Sequence, residues 1–394
     1  MTAHALPQPA GEPQSAPPRG WEWFESGLLL KINTNLLDMR RGSESFFFEP
    51  ADPTLLGLLR VCVGCVTLYV YLTYCIDLAS FVGPNAWIDE RAARYLTQEI
   101  EMPPPPTGWE MKVPEKVPRG LYLASVYFHV TDPRWIWAIH LGILAGMVLF
   151  TIGYQTRITS VLAWMGALCY MDRSPMTLFG MDVMNNILLL YLMVGPSGAA
   201  LSVDRWLEVR RLRLRGRRVE PPAPLPSARL ALRLIQIHFC VIYLAAGTAK
   251  LQGSTWWDGT ALWSCYANFV FAPMKSEWYR EWLVFLSKHR PLWEVVMTAS
   301  AAFTIGLEIG FPFLVWTRLR WLCVLGSILM HAGIALTMGL TSFSMLMFCM
   351  VLAFAPPEYV RPWLESFRRR LRPALTQRAT PPPVAAAPAL AASR

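Results

Sequence analysis

The sequence predicts an all-α, polytopic transmembrane helical bundle of about eight spans with an N-terminal interfacial helix. Of the 394 residues, 54% are hydrophobic and only 16% are charged, whereas soluble domains carry roughly 25% charged residues. Apolar runs long enough to cross a bilayer recur along the chain. Seventeen tryptophans also suit a chain whose rings sit where headgroups meet hydrocarbon.

The elements follow in order. Residues 1–19 are rich in Pro, Ala and Gly and lack the apolar centre of a cleavable signal, so they read as a disordered tail. Residues 20–50 hold an interfacial helix, at about 20–36, and a linker. The membrane domain, 51–360, has spans at about 55–80, 133–153, 157–172, 181–200, 230–251, 293–316, 319–337 and 341–356. A basic, Pro- and Ala-rich tail, 361–394, closes the chain.

The net charge of +9 is not spread as a nucleic-acid surface would be. Arg205, Arg210, Arg211, Arg213, Arg215, Arg217 and Arg218 follow the fourth span, and a second cluster follows the last. Eight spans put both on one side, with Lys31, Arg40, Arg41, Arg318 and Arg320. Basic residues beside a membrane mark its cytoplasmic face. The expectation is therefore a multi-pass integral membrane protein, with the bilayer as partner, no nucleic acid, and both termini cytoplasmic. In a bacterium that membrane is the inner one. The long connections at about 82–132 and 253–291 then face outward. The second, rich in aromatics, is expected to lie on or dip into the outer leaflet.

Seven of the eight cysteines fall in apolar runs, as small hydrophobes do. Cys62 and Cys65 form a C-x-x-C inside the first span with no second pair nearby, and read as helix core. No metal set is expected.

Charges in hydrocarbon cost about 3 kcal/mol or more, so each needs a partner or a purpose. In the fifth span Gln236, Tyr243 and Lys250 are seven residues apart and share one stripe. Gly247 lies one turn before Lys250 and would let another helix or a ligand approach closely. Lys250 is either a reactive amine or a lysine that snorkels to the headgroups. At the outer ends of other spans lie Asp172, Arg173, Asp182, Asn185, Asn186 and His331. They either line one polar pocket or satisfy one another locally, Arg173 with Asp172 or Asp182. A lone helix histidine such as His331 is more often a hydrogen-bonded packing residue than a catalyst. Arg60 and Glu308 fall at similar depth nearer the cytoplasmic side, which predicts a structural ion pair between the first and sixth spans.

The stretch RLIQIHFCVIYLAAGTAKLQGSTWWDGTAL resembles the signature of the HTTM family, the membrane domain shared with vitamin K-dependent gamma-carboxylases. The matching positions are Tyr243, Gly247, Lys250, Trp257, Gly259 and Ala261. Other pieces match in order: Pro53, Leu56 and Arg60; Asp77 with Gly83; Arg173 with Gly180; GPSGAALSVDRW; Glu308; and the run beginning at His331. The resemblance covers about 50–360. It implies reduced vitamin K or another quinol as cofactor, with Lys250 in the base chemistry and His331 and Tyr243 beside it. Gly247, Trp257, Arg173 and Asn185 are the expected cofactor-binding positions. The known carboxylases also carry a large extramembrane portion that binds their glutamate-rich substrate. Here about 35 residues follow the last expected span, so the expectation is a docking partner or a different secreted or membrane substrate. The alternative is a non-catalytic scaffold or assembly factor. A transporter ranks last, because no broken helices or internal repeats are legible.

Overall fold

The computed structural model describes residues 38–84, 86–88, 125–270, 273 and 275–378. The tail 1–19, the interfacial helix expected at about 20–36 and most of the 82–132 connection lie outside them. The chain divides into two compact units, Met1–Glu49 and Pro50–Arg394. In the first, residues 38–48 form helix α1, on which Arg40 pairs with Glu44 one turn away at 2.9 Å.

The second unit is built from α2 (Thr54–Thr73), α3 (Leu78–Val82), α4 (Pro133–Ile152), α5 (Thr156–Arg173), α6 (Gly180–Val194), α7 (Val203–Leu214) and α8 (Pro226–Gln252). There follow α9 (Ser254–Trp257), α10 (Ala261–Tyr266), α11 (Glu277–Lys288), α12 (Arg290–Leu314), α13 (Arg320–Met338), α14 (Thr341–Leu352) and α15 (Pro357–Arg378). Among the described residues there is no strand, only an isolated bridge between Ala51 and Leu225.

All eight expected spans fall on helices, and this is an all-α polytopic membrane bundle. Among the described residues five helices are long and apolar enough to cross a membrane: α2 with the turn that extends it to Ile76, α4, α8, α12 and α13. A sixth crossing results if α14 and α15, bent by 110°, are taken together. Helix α6 is apolar but has only 15 residues, and α5 carries Arg157, Asp172 and Arg173 in 18 residues.

Local chemistry sets the helix ends. Ahead of α2, whose N-cap position is Pro53, the Asp52 carboxylate accepts from the Thr54 N–H at 2.8 Å and from its hydroxyl at 2.6 Å, satisfying the first N–H of the helix. Asp132 accepts from the Arg134 N–H at 2.8 Å, with Pro133 in the first helical position of α4. That helix stops at Gly153, whose φ of 75° suits a residue without Cβ.

Helix α2 is central, packed on α4, α6 and α14, and Leu55, Leu59 and Val63 are fully buried on it. Helices α8 and α12 lie antiparallel, with Arg233 beside Trp316, Phe239 beside Phe311 and Gly247 beside Glu308. Outward faces carry exposed Leu141, Val148, Leu162, Val241, Val295, Phe303 and Leu329, the surface a bilayer covers.

The two basic segments lie at one end of this unit. Arg361 of α15 pairs with Asp52 at 2.8 Å and donates to the Pro222 carbonyl at 2.9 Å, just beyond the arginine-rich stretch. Lys250 lies about 31 Å along α8 from Arg229, at 1.5 Å per residue. Of the second long connection, the described part is mostly helical (α9, α10 and α11) rather than loop. It is anchored by the Tyr279 hydroxyl, 2.9 Å from the carbonyls of both Tyr266 and Thr337.

Candidate acid–base site between α8, α12 and α13

The last turns of α8 run close against α12 because residue 247 is glycine. A Cβ there would stand 2.7 Å from Ile309 Cγ1 and 3.1 Å from Glu308 Cβ. This close approach brings Glu308 within reach of the residue one turn further along. The Lys250 ammonium donates to both Glu308 oxygens, at 2.8 and 2.7 Å. Glu308 is 8% exposed and Lys250 22%. Nζ also lies 5.3 Å from the centroid of the Trp256 ring, a cation–π distance. Lys250 thus reaches inward to a carboxylate rather than outward to headgroups.

This overturns the expected ion pair between Arg60 and Glu308. The carboxylate is taken by Lys250, whose long stem spans the gap that Gly247 keeps narrow. Arg60 instead donates to the carbonyls of Ser197, at 2.8 Å, and Leu201, at 2.5 Å. Asp204 adds a favourable charge nearby. Equal depth along two helices does not make them face one another, and that is where the expectation fails.

Tyr243, two turns before Lys250, is buried on the same stripe. Its hydroxyl lies 2.6 Å from Ser327 Oγ and 2.9 Å from His331 Nε2, both on α13. The other ring nitrogen of His331, Nδ1, is buried and has no hydrogen-bond partner among the described residues. Buried polar atoms are nearly always paired, so such an atom needs an explanation. Tyr243 links the two groups: it precedes Lys250 by two turns on α8, and its ring lies 5.0 Å from that of Phe311, three residues after Glu308 on α12.

Of the expected site residues, the structure therefore brings Lys250, Tyr243, Gly247 and His331 together. Trp257 is not with them. It is 72% exposed and its indole N–H donates to the Leu251 carbonyl at 2.8 Å, while the ring beside Lys250 belongs to Trp256. Arg173 and Asn185 serve another part of the bundle. Arg173 donates to the Gly83 carbonyl and, at 3.2 Å, to that of Ile88. Asn185 accepts from the Thr67 hydroxyl at 2.6 Å. Asp172 accepts from the Ser125 N–H at 3.0 Å and Asp182 from the Phe179 N–H at 2.8 Å.

Two features were not among the residues the sequence singles out. Ser327 lies four residues before His331, on the same helical face, and that spacing is its signal. The other is a buried chain beside α4, where His140 Nδ1 is 2.5 Å from the Tyr170 hydroxyl and Nε2 is 3.2 Å from Cys75 Sγ. The Tyr127 hydroxyl donates to Tyr170 at 3.1 Å. Nothing in the spacing of Cys75, Tyr127, His140 and Tyr170 announces that contact.

Chemically, the site combines an amine and a carboxylate that can exchange one proton across 2.7 Å with a histidine that has a vacant nitrogen. Among the described residues no three His, Cys, Asp or Glu side chains are grouped to hold a metal. Cavities of about 520 and 180 Å3 lie along α11 and at the bend between α14 and α15. Comparison of the chain with protein-family models, with curated proteins and with solved structures finds no match.

Proposed function

We propose that this chain is an HTTM-type membrane enzyme, gamma-carboxylase-like, that performs acid–base chemistry on a quinol such as reduced vitamin K at Lys250 and Glu308. The observation that carries this reading is the Lys250–Glu308 pair on the helix whose Tyr243 holds a buried histidine, with Nδ1 of that histidine unpartnered among the described residues. The fit to a quinol rests on that orphaned nitrogen, which suits one hydroxyl or the oxyanion derived from it. When bound, a quinol supplies reducing equivalents for dioxygen and, through that reaction, a strong base.

The chain's own residues would act as follows. An amine takes a proton only when neutral, and here the neutral form arises when one proton crosses from Nζ to Glu308. Tyr243 holds the His331 ring through Nε2, so that Nδ1 keeps one direction. Ser327 fixes the Tyr243 hydroxyl in turn. Trp256 shields one side of the ammonium from water. In this reading all eight expected spans cross, the termini are cytoplasmic, and the site opens outward. A partner supplies docking for any glutamyl substrate.

A specific observation favours the alternative of a non-catalytic scaffold. The pair and the Gly247 contact together clamp α8 to α12, which is a sufficient structural role. Lys250→Arg separates the two, because a guanidinium keeps the contact with Glu308 but cannot serve as a neutral base. The full chain in lipid nanodiscs is given a reduced naphthoquinone, dioxygen, labelled bicarbonate and a glutamyl peptide. Quinol oxidation and label incorporation are followed beside thermal unfolding. The enzyme reading expects turnover in the wild type and its loss in the variant at unchanged stability. Turnover that survives in Lys250→Arg, or none in the wild type, leaves the scaffold.

A further inference from the structure

The buried chain beside α4 joins a thiol to a possible base. Cys75 stands in the turn that extends α2 to Ile76, with its Sγ 3.2 Å from His140 Nε2. His140, on α4, is fully buried, and its Nδ1 is 2.5 Å from the Tyr170 hydroxyl of α5. Tyr170 is held in turn. Its oxygen accepts from the Tyr127 hydroxyl at 3.1 Å, and its ring stacks on Tyr71 at 4.6 Å and meets Tyr74 edge-on at 5.3 Å. A thiol beside an imidazole whose other nitrogen is fixed by a third group is the arrangement of a nucleophilic cysteine. With Nδ1–H donating to the Tyr170 oxygen, Nε2 is the nitrogen left to take the thiol proton.

The surroundings of the thiol are open and apolar. Cys75 is half-buried, and Leu72, one turn before it, and Ile76, next to it, are 53 and 87% exposed. The Trp137 ring, also exposed, lies 5.8 Å from the His140 ring. The way to the thiol thus runs along side chains that a bilayer covers, and the reactant that suits it carries a long alkyl chain.

We propose that Cys75 is a self-acylating nucleophile that takes a long-chain acyl group from an acyl thioester, with His140 as its base. Sγ of Cys75 forms a bond to the acyl carbonyl carbon, and the bond from that carbon to the donor sulfur breaks. The Cys75 proton passes to Nε2 and from there to the departing thiolate. One thioester replaces another, so no oxidant or reductant is consumed. Tyr170 is a positioning residue that acts through the His140 ring. The site is independent of the chemistry at Lys250.

The test gives the full chain, in lipid nanodiscs, an alkyne-tagged palmitoyl thioester of coenzyme A. A second arm supplies the same tagged chain on phosphatidylcholine. Peptide mass spectrometry reads the rate of label at each cysteine, and release by neutral hydroxylamine marks a thioester. Two thiols of the same chain are the controls: Cys65, exposed on α2, and Cys265, half-buried on α10. Among the described residues neither is hydrogen-bonded to a histidine. Cys75 should take label about 100-fold faster than either, the low end of what a positioned base contributes. His140→Gln should remove that advantage and leave both controls unchanged. Tyr170→Phe should reduce the same ratio by a smaller factor, again with the controls unchanged. The comparison among thiols of the wild type decides the matter should the variants fail to fold. Equal rates at the three cysteines, or an unchanged ratio in His140→Gln, overturn the proposal. Label from the phospholipid and none from the coenzyme A thioester overturns the thioester as its source.

Discussion

Arg60 and Lys250 are both cations on apolar helices, yet Arg60 directs its charge to the carbonyls of Ser197 and Leu201 whereas Lys250 faces one carboxylate on a neighbouring helix. The first arrangement is a rivet. A planar fork with several fixed donors matches carbonyls whose positions the turn before α7 dictates. Gly153, at φ 75°, is packed against the same guanidinium, so a side chain there would displace it. The second arrangement is convertible. One proton decides whether the pair is charged, and Tyr243, two turns away on the same helix, holds a histidine whose Nδ1 is unpartnered among the described residues. A buried charge thus signals structure when backbone carbonyls take the terminal nitrogens of its fork, as at Arg60, although Nε of that residue has no partner among the described residues. It signals possible chemistry when a single ionisable partner satisfies it.

That contrast can be broken most severely at Arg60. Arg60→Gln strips two buried carbonyls of a charged donor and should cost about 3–5 kcal/mol. Arg60→Lys should not restore it, since one ammonium cannot reproduce the fork. Thermal unfolding in detergent measures this, and a loss below about 1 kcal/mol would mean that the turn holds itself. Glu308→Gln should cost less, about 2–3 kcal/mol, because Lys250 is 22% exposed and keeps some access to water. Lys250→Met combined with Glu308→Leu should recover most of that stability, since a buried pair replaced by apolar side chains loses little. A double-mutant cycle that gives no coupling would remove the pair from the account.

The smallest effect concerns Asp204, at the start of α7, which closes the Arg60 arrangement from the outside. Burial pushes its carboxyl up. The Thr156 N–H and hydroxyl, the Gln155 N–H and the Arg60 charge outweigh burial and hold it below the usual carboxylate range. Because the folded-state value is depressed, its stabilisation is fully present above the unfolded value of about 3.9. It is lost as pH falls through the lower folded value. The unfolding temperature should therefore drop in acid, and Asp204→Asn should flatten that drop while lowering stability at neutral pH. An acid limb that is identical in the variant would assign the titration elsewhere.

Much of the bundle was legible in the sequence because hydrocarbon imposes a length and an apolarity on every crossing helix. The Lys250 stripe was legible too, since a seven-residue spacing places Tyr243 and Lys250 on one face whatever the neighbours are. The partner of Glu308 was not. Choosing between Arg60 and Lys250 requires the rotation of α12 about its axis, and periodicity gives a face without naming what it meets. Trp257 and Trp256 show the same limit within one dipeptide, as adjacent residues on a short helix point in different directions and only one ring covers the lysine.

By itself the sequence determined an α-helical membrane protein, the approximate bounds of its helices and the polar residues they carry into hydrocarbon. Those follow from local rules of composition, spacing and capping. Tertiary structure alone decided which charges pair, that Nδ1 of His331 is unpartnered among the described residues, and that Cys75 meets His140 of another helix. Each depends on the approach and rotation of helices distant in sequence, set at places such as Gly247 by the absence of a single Cβ.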